Sequence, residues 1–506
     1  MRTSQTIAAH FIALMLGASP SANSEILPIV TNNGFEIIEA AESKSQPSGW
    51  KRLGPPTGSA IVVQDIRAHS GNQSLRVNVP VDGFLAFEQS FDAREYRGRI
   101  LALSGWIKSD GIRKGDVGLW VRAESATAGA GFFADTYDGV QKDTGDWEHH
   151  SLPFYVNSNV ERIVFGFAAT SSSAMFVDDV EVRDDSSVEP IVLSSSAKTF
   201  LDAAIREIRA QSYYGEAVKW SEMMPTLYRL AGGASTTNDT YPAIREALRS
   251  LGDNHSFLVT PKKMTAMKAA ASGTSSPIIE ALLIGDVGYL NIPGQASTSA
   301  RTSQEFADAV GQKFAYLQSK APCGWIVDLR ANRGGSMHIV LAGIAPLFSD
   351  GEIGNFVGRD WKEPWAMRGG LFSTGTGEQG AALRSRYYKA SPVDSKAPVA
   401  VLIGPRTASA GEAIAIAIKA RGNTRSFGAP TSGQTTANRN VTLSDGAVMS
   451  LTTSLVADAA GTIYRGALQP DSKIAGGARL ESFSGSADDS FYAAFKWVTE
   501  QKTCVR

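Results

Sequence analysis

Two cysteines and six histidines leave little for thiolate or imidazole ligation of a metal, and the 506 residues carry a formal net charge of only -1. No CxxC or HxxxH spacing occurs, so the ligand sets usual for zinc are missing, and neither a metal nor an organic cofactor is expected. No long basic run occurs either. A phosphate backbone is gripped by clustered Lys and Arg, so nucleic acid is not an expected partner. Beyond the first twenty or so residues no apolar stretch is long enough to cross a bilayer, and no membrane span is expected. Charged residues at 20% and hydrophobic residues at 43% describe a folded chain, not a disordered one. The length exceeds one ordinary domain and calls for two or three.

The N-terminus has the order of a secretory signal. Arg2 precedes an apolar stretch from Ile7 to Ala18, broken only by His10, and the small residues of SPSANSE follow. Residues 1–22 are read as a signal peptide cleaved near Ala22, and the expected location is secreted or periplasmic. A frayed N-terminal helix is the plainer alternative. In an oxidising compartment Cys323 and Cys504 pair; otherwise they are two thiols, and both readings stay open.

Residues 25–187 read as all-β. Short alternating runs such as LRVNV at Leu75, VGLWVRA at Val117 and RIVFGF at Arg162 lie between Gly, Asn and Asp clusters. Side chains alternate along a strand, so Ile163, Phe165 and Phe167 share a face. The pattern predicts a sandwich or jelly roll. NGFE at Asn33, Trp50, LSGWIK around Trp106, GDWEHH around Trp147 and MFVDDVEV at Met175 occur in the order seen in galactose-binding-like jelly rolls, and the segment resembles those carbohydrate-binding modules. The resemblance implies glycan contact through exposed aromatics. Against it, Trp50, Trp106, Trp120 and Trp147 read more simply as core residues. Asp178 and Asp179 suit either a structural calcium or a solvated strand end.

After the Ser-rich stretch VLSSSAK, residues 195–265 read as a helical subdomain. Phe200, Leu201, Ala204, Ile205 and Ile208 recur at helical spacing, and further helices are expected over Ala217–Leu230 and Tyr241–Leu251. Residues 275–500 alternate strand patterns (GYLNI, GWIVDL, PVAVLIG) with helical ones around Ser303–Leu317 and Ala410–Ala420. The pattern argues for an α/β layered domain.

Three segments of this region carry chemistry. TASAGE, Thr407–Glu412, follows an apolar strand and opens a helix, so Ser409 sits where amides at a helix start point outward. S-x-x-E before an apolar helix is also a capping box, which is the plainer reading of this segment alone. IVDLRANRGG, Ile326–Gly335, runs from a buried strand into a glycine pair whose amides can turn towards a ligand, or simply makes a turn. LGDNHSF contributes His255. A serine hydroxyl is a weak nucleophile and needs a base with a pKa near neutrality. His338 is expected to face the packing side of its helix.

Together DNHS at Asp253, GYLNIP at Gly288, DLRANRGG at Asp328, TASAGE at Thr407, GAPTSGQTT at Gly428 and LQPD at Leu468 resemble the tail-specific (C-terminal-processing) serine peptidase family. The resemblance spans about residues 195–497 and implies a ClpP/crotonase-type spiral core. It implies that Ser409 is the nucleophile and that the amides of Ala410 and Gly335 form the oxyanion hole. One branch of the family uses a Lys within T-x-G-K as base; here Gln434 holds that position, and Lys419 lies too early. The other branch, with tricorn-like and retinoid-binding relatives, has a D-x-H-[ST] motif that LGDNHS fits, which implies His255 as base. Two departures stand out. Asn254 replaces a Ser before the His, and Tyr464 and Arg465 occupy the stretch where an orienting acid is expected. Asp445, Asp458 and Asp471 are the open candidates for that acid. The expectation is a serine-type peptidase acting on a polypeptide, with an esterase or a non-catalytic carrier of apolar ligands as alternatives.

Overall fold

The structure is a computed structural model. It describes residues 24–505 apart from 38–46, 55–58, 65–67, 81–82, 110–116, 126–131, 137–144, 171–172, 187–191, 274–276, 296–298, 376–381, 390, 420 and 475–487. The signal-peptide reading of residues 1–22 lies outside the described residues. The chain divides into two compact units, Met1–Lys198 with Met224–Glu246, and Thr199–Met223 with Ala247–Arg506.

The first unit contains an antiparallel β-sandwich, as the strand pattern predicts. One sheet orders the strands Ser59–Gln64, Gln73–Val79, Ser173–Asp184, Ile100–Ser109 and Glu148–Tyr155. The other orders Lys51–Leu53, Phe84–Asp92, Val160–Thr170, Val117–Ser125 and Phe132–Asp135. Ile163, Phe165 and Phe167 do share a face and enter the core between the sheets, with Phe87, Leu103, Leu119 and Val177. The intervening Val164 and Ala168 are buried too, on the outer side, in a small cluster with Trp120, Ala86 and Leu53. This strand is therefore covered on both faces, which strict alternation does not predict.

The four tryptophans separate. Trp50 belongs to the core, its ring centroid 5.0 Å from that of Phe167. Trp120 is buried in the outer cluster. Trp106 and Trp147 are only half-buried. The ring of His69 stacks on Trp106 at 3.8 Å, so one face of that indole is already covered. Asp178 and Asp179 accept hydrogen bonds from His69 and Ser70. Among the described residues no group of acidic, His or Cys side chains could hold a metal ion.

The helices of the 195–265 stretch are Ser195–Gln211, Trp220–Leu230, Tyr241–Arg249 and the start of Pro261–Gly273. The second unit is then built on two sheets. The first orders Glu280–Ile284, Val287–Asn291, Gly324–Asp328, Val399–Ile403, Thr424–Gly428 and Ser472–Lys473. From Val287–Asn291 onward its strands pair in parallel. Both faces are covered, as parallel sheets require. Leu290, Val327, Val401 and Ile403 face the helices Ala300–Gln318, Met337–Gly343 and Ala410–Lys419. Tyr289, Ile326, Ala400 and Leu402 face the helix Asp489–Thr499. The second sheet is antiparallel and centres on Val448–Ala457, which is flanked by Phe257–Val259, Gly351–Val357, Thr436–Thr442 and Ile463–Tyr464.

A buried ion cluster pins the end of the Gly324–Asp328 strand. Arg330 donates to Asp328 Oδ2 at 2.6 Å and to Asp488 Oδ1 and Oδ2 at 2.9 and 2.8 Å. All three side chains are inaccessible, at 1% exposure or less. Burial alone would push the guanidinium down, but Asp328 and then Asp488 hold it well above its ordinary value. Asp488 also caps the Asp489–Thr499 helix through the amide of Phe491, and Tyr289 donates its hydroxyl to Asp328. Cys323 and Cys504 form a disulfide beside the same helix, which settles the open question of their pairing. Arg330→Met leaves two carboxylates buried without a counter-charge, so a loss of about 3–5 kcal/mol is expected in urea unfolding of the full chain.

Candidate active site

Three loops meet at the C-terminal ends of the parallel strands, the usual place for a site in such sheets. Residues 404–409 leave the Val399–Ile403 strand. Thr407 donates its hydroxyl to the Leu329 carbonyl at 2.9 Å and accepts the Gly404 amide at 3.0 Å. The Ala408 amide donates to the Asn332 carbonyl at 3.0 Å. The serine loop is thereby tied to the 329–335 loop before the helix begins.

Ser409 does not behave as a helix cap. A cap residue is extended and lends its side-chain oxygen to an amide in the first turn. Ser409 instead has φ 51, a left-handed backbone that is costly for a serine. The Glu412 amide donates to the Ser409 carbonyl, at 2.9 Å, rather than to its hydroxyl. Only half of the capping box forms: the Ser409 amide donates to Glu412 Oε2 at 2.9 Å. Among the described residues the Ser409 hydroxyl has no hydrogen-bond partner.

Glu412 holds the local geometry. It is wholly buried, and its carboxylate accepts four donors from two loops. Oε1 takes the Thr431 hydroxyl at 2.5 Å and the Gly433 amide at 2.9 Å. Oε2 takes the amides of Ser409 and Gln434 at 2.9 and 2.8 Å. Burial pushes the Glu412 carboxyl above the ordinary glutamate range, while those four donors pull it down.

The glycine pair lies against the serine. Gly334 and Gly335 have φ 104 and 110, values that favour glycine. A Cβ on Gly334 would stand 3.1 Å from Ser409 Cβ and 3.6 Å from its Oγ, tight enough to force a shift. The Gly334 amide is taken by Asn332 Oδ1 at 3.1 Å. Gly335 is exposed, and its amide has no acceptor among the described residues. Ala410 is the first residue of its helix and so has no intrahelical acceptor for its amide.

His255 stands on a loop gripped from two sides. Asp253 Oδ1 accepts the amides of His255 and Ser256 at 3.0 and 2.9 Å, and Oδ2 accepts the Ser256 hydroxyl at 2.5 Å. Asn438 donates to the His255 carbonyl at 2.6 Å. Asn254 has φ 53, a conformation asparagine tolerates better than most residues, which gives a physical reason for its place before the histidine. The ring is largely buried, and Nδ1 lies 2.6 Å from Thr436 Oγ1. Burial pushes its pKa below the ordinary histidine value, opposed by the charge of Asp253. No hydrogen bond joins the ring to Ser409. The two are linked through the 431–436 loop, which binds Glu412 at one end and His255 at the other.

Among the described residues no carboxylate is hydrogen-bonded to the His255 ring. Asp445 accepts the Ala447 amide; Asp458 accepts the Thr462 amide and the Tyr464 hydroxyl; Asp471 accepts from Lys419 and Ser426. The side chain of Gln434, where the lysine branch has its base, donates to the Asn254 carbonyl at 3.5 Å. His338 faces its helix's packing side as expected, edge-on to Phe372. Neither the contact of Thr436 with His255 nor the bracing by Glu412 is expected from the sequence. The S-x-x-E spacing is the one sequence signal for Glu412, and a threonine that holds a histidine carries none.

Residues 286–474 match the model of peptidase family S41. This C-terminal region is a peptidase family S41 domain. The chain is accordingly a serine-type peptidase. It is 26% identical over 271 residues to the nisin-resistance protein of Lactococcus lactis subsp. lactis, covering 53% of this chain and 80% of that one. A lipoprotein from Streptococcus agalactiae is similar in structure, with 19% identity and a TM-score of 0.47, over 62% of this chain and 99% of that one. The xylan-binding domain from Paenibacillus barcinonensis is similar to 30% of this chain over 91% of its own length, with 16% identity and a TM-score of 0.22.

Removing the Glu412 carboxylate strands three amides and one hydroxyl beside the S41 serine loop. Each such group costs about 1–3 kcal/mol when buried without a partner, and neighbouring losses are not additive. Glu412→Ala is expected to lose about 3 kcal/mol in chemical denaturation and most of the activity.

Proposed function

We propose that this chain is an extracytoplasmic serine peptidase with Ser409 as nucleophile and His255 as general base. The observation that carries the reading is the left-handed Ser409, whose hydroxyl is released from capping and lies against the Gly334–Gly335 turn. His255 Nε2 takes the proton of Ser409 as its oxygen attacks the carbonyl of a polypeptide. The amides of Ala410 and Gly335 hold the tetrahedral oxyanion. The imidazolium then protonates the leaving amine, and water, activated by the same ring, releases the acyl group. Catalytic hydrogen bonds are often long in a substrate-free site and tighten when substrate binds, so the open Ser409–His255 pair fits this role. The same chemistry on an ester would make the protein an esterase.

Export is supported by the signal-like N-terminus and by the Cys323–Cys504 disulfide, which persists in oxidising compartments. The sandwich is read as a glycan-contacting module on the half-buried Trp106 and Trp147. Trp106→Ala in the full chain is expected to reduce retention on a polysaccharide column; no retention of the wild type on any glycan would leave the sandwich a structural role.

One observation favours a carrier instead. A cavity of about 240 Å³ lies beside the Ala410–Lys419 helix, with Val401, Ile403, Ile416 and Leu468 on its apolar side and Lys419, Arg465 and Asp471 on its polar side. Saturable binding of an apolar ligand there, with no hydrolysis of peptide or ester panels, would decide for the carrier.

The test of the peptidase reading is covalent labelling with a fluorophosphonate. Labelling of the wild type is expected, with loss in Ser409→Ala and a fall of about 10²-fold or more in His255→Ala. A folded wild type that never labels, or a Ser409→Ala variant that still does, would overturn it. Since the base must be neutral and burial lowers the His255 pKa, the labelling rate should hold to a lower pH than an ordinary histidine near 6.5 would allow.

A further inference from the structure

The proposed base has a hydroxyl where a serine triad places a carboxylate. Thr436 Oγ1 lies 2.6 Å from His255 Nδ1. We propose that Thr436 is the positioning residue that fixes the ring orientation and tautomer of His255, in place of an orienting acid. This inference rests on His255 being the base and concerns how that base is held.

The geometry is well supported on the threonine side. Thr436 opens the Thr436–Thr442 strand and is in register with Leu455 of the central Val448–Ala457 strand. A threonine is branched at Cβ, so its χ1 is restricted. The preceding Thr435 donates its hydroxyl to the carbonyl of Gly466 at 3.1 Å, and the Gln434 amide is held by Glu412. Two residues further along, Asn438 grips the His255 carbonyl, and its own Oδ1 accepts the Thr452 hydroxyl at 3.0 Å. One strand thus fixes both the ring and the backbone of the histidine.

Asp253 turns both oxygens to the amides of His255 and Ser256 and to the Ser256 hydroxyl. From the neighbouring segments Tyr214 lies within electrostatic reach of both Asp253 and Arg465, and Arg465 is exposed. The Thr436–Thr442 strand presents uncharged Thr436 and Asn438 to the histidine loop.

The chemistry follows from the hydroxyl being neutral. When Nδ1–H donates to Thr436 Oγ1, the lone pair is left on Nε2, the tautomer a general base needs. A hydroxyl fixes the tautomer but does not stabilise the imidazolium by charge as a carboxylate does. The base is therefore oriented without being made more basic.

Three variants of the full chain test this, read by the rate of fluorophosphonate labelling and by nitrogen NMR of the His255 ring. Thr436→Val should slow labelling by about tenfold or more and convert the neutral ring from one tautomer to a mixture. Thr436→Ser keeps the hydroxyl and should restore both readouts to within about threefold of wild type. Thr436→Asp places a carboxylate on the ring and should move the acid limb of the rate profile up by about one pH unit. Wild-type labelling rate, pH profile and tautomer in Thr436→Val would overturn the proposal. A slow, unfolded Thr436→Val with a folded but equally slow Thr436→Ser would overturn it too. If the wild type does not label at all, the catalytic reading of His255 fails, and the tautomer comparison still decides whether Thr436 holds the ring.

Discussion

The carboxylate of Glu412 is the point on which the site turns. It is wholly buried, and it draws one amide from the serine loop and two amides and a hydroxyl from the 431–434 loop. A charge taken out of water is tolerated only when its lone pairs are met, and here four donors meet them. Because the Ser409 amide is fixed on Glu412 while φ is held at 51, the serine side chain is turned away from the helix it precedes. The strain at Ser409 is kept by this bracing. The hydroxyl left over is the group a nucleophile requires.

The same carboxylate couples the serine to the histidine without direct contact between them. Its two amide donors at Gly433 and Gln434 set the start of the Thr436–Thr442 strand, and that strand grips His255 by ring and carbonyl. On the opposite side the 329–335 loop is fixed by the Arg330, Asp328 and Asp488 cluster and brings Gly334 against Ser409. Rigid strands carry the loops, and buried charges set where the loops end. This is the kind of preorganised support that catalysis by hydrogen-bond donors demands.

Much of this was legible in the residues. Strand periodicity located the sandwich and the parallel sheet, and both sheets of the sandwich are antiparallel as the short alternating runs imply. The S-x-x-E pattern reads as a capping box, and the structure uses half of it: the glutamate end forms, but the serine end does not. Spacing alone cannot reveal a positive φ, because the strain at Ser409 is imposed by residues of the 431–434 loop, twenty-odd positions away. Thr436 escaped for a related reason. A hydroxyl that holds a histidine has no sequence signature of its own, and the expectation of an acid pointed to Asp445, Asp458 and Asp471, each engaged elsewhere. From the sequence Trp120 reads as core or platform, yet it fills a third place, a small cluster on the outer side of its sheet.

A crystal structure of the full chain after reaction with a fluorophosphonate tests the account most directly. Phosphorus is expected bonded to Ser409 Oγ, with the phosphoryl oxygen within hydrogen-bond reach of the amides of Ala410 and Gly335 and His255 Nε2 turned towards the adduct while Nδ1 stays on Thr436. An adduct on another residue, or a phosphoryl oxygen pointing away from both amides, would contradict it.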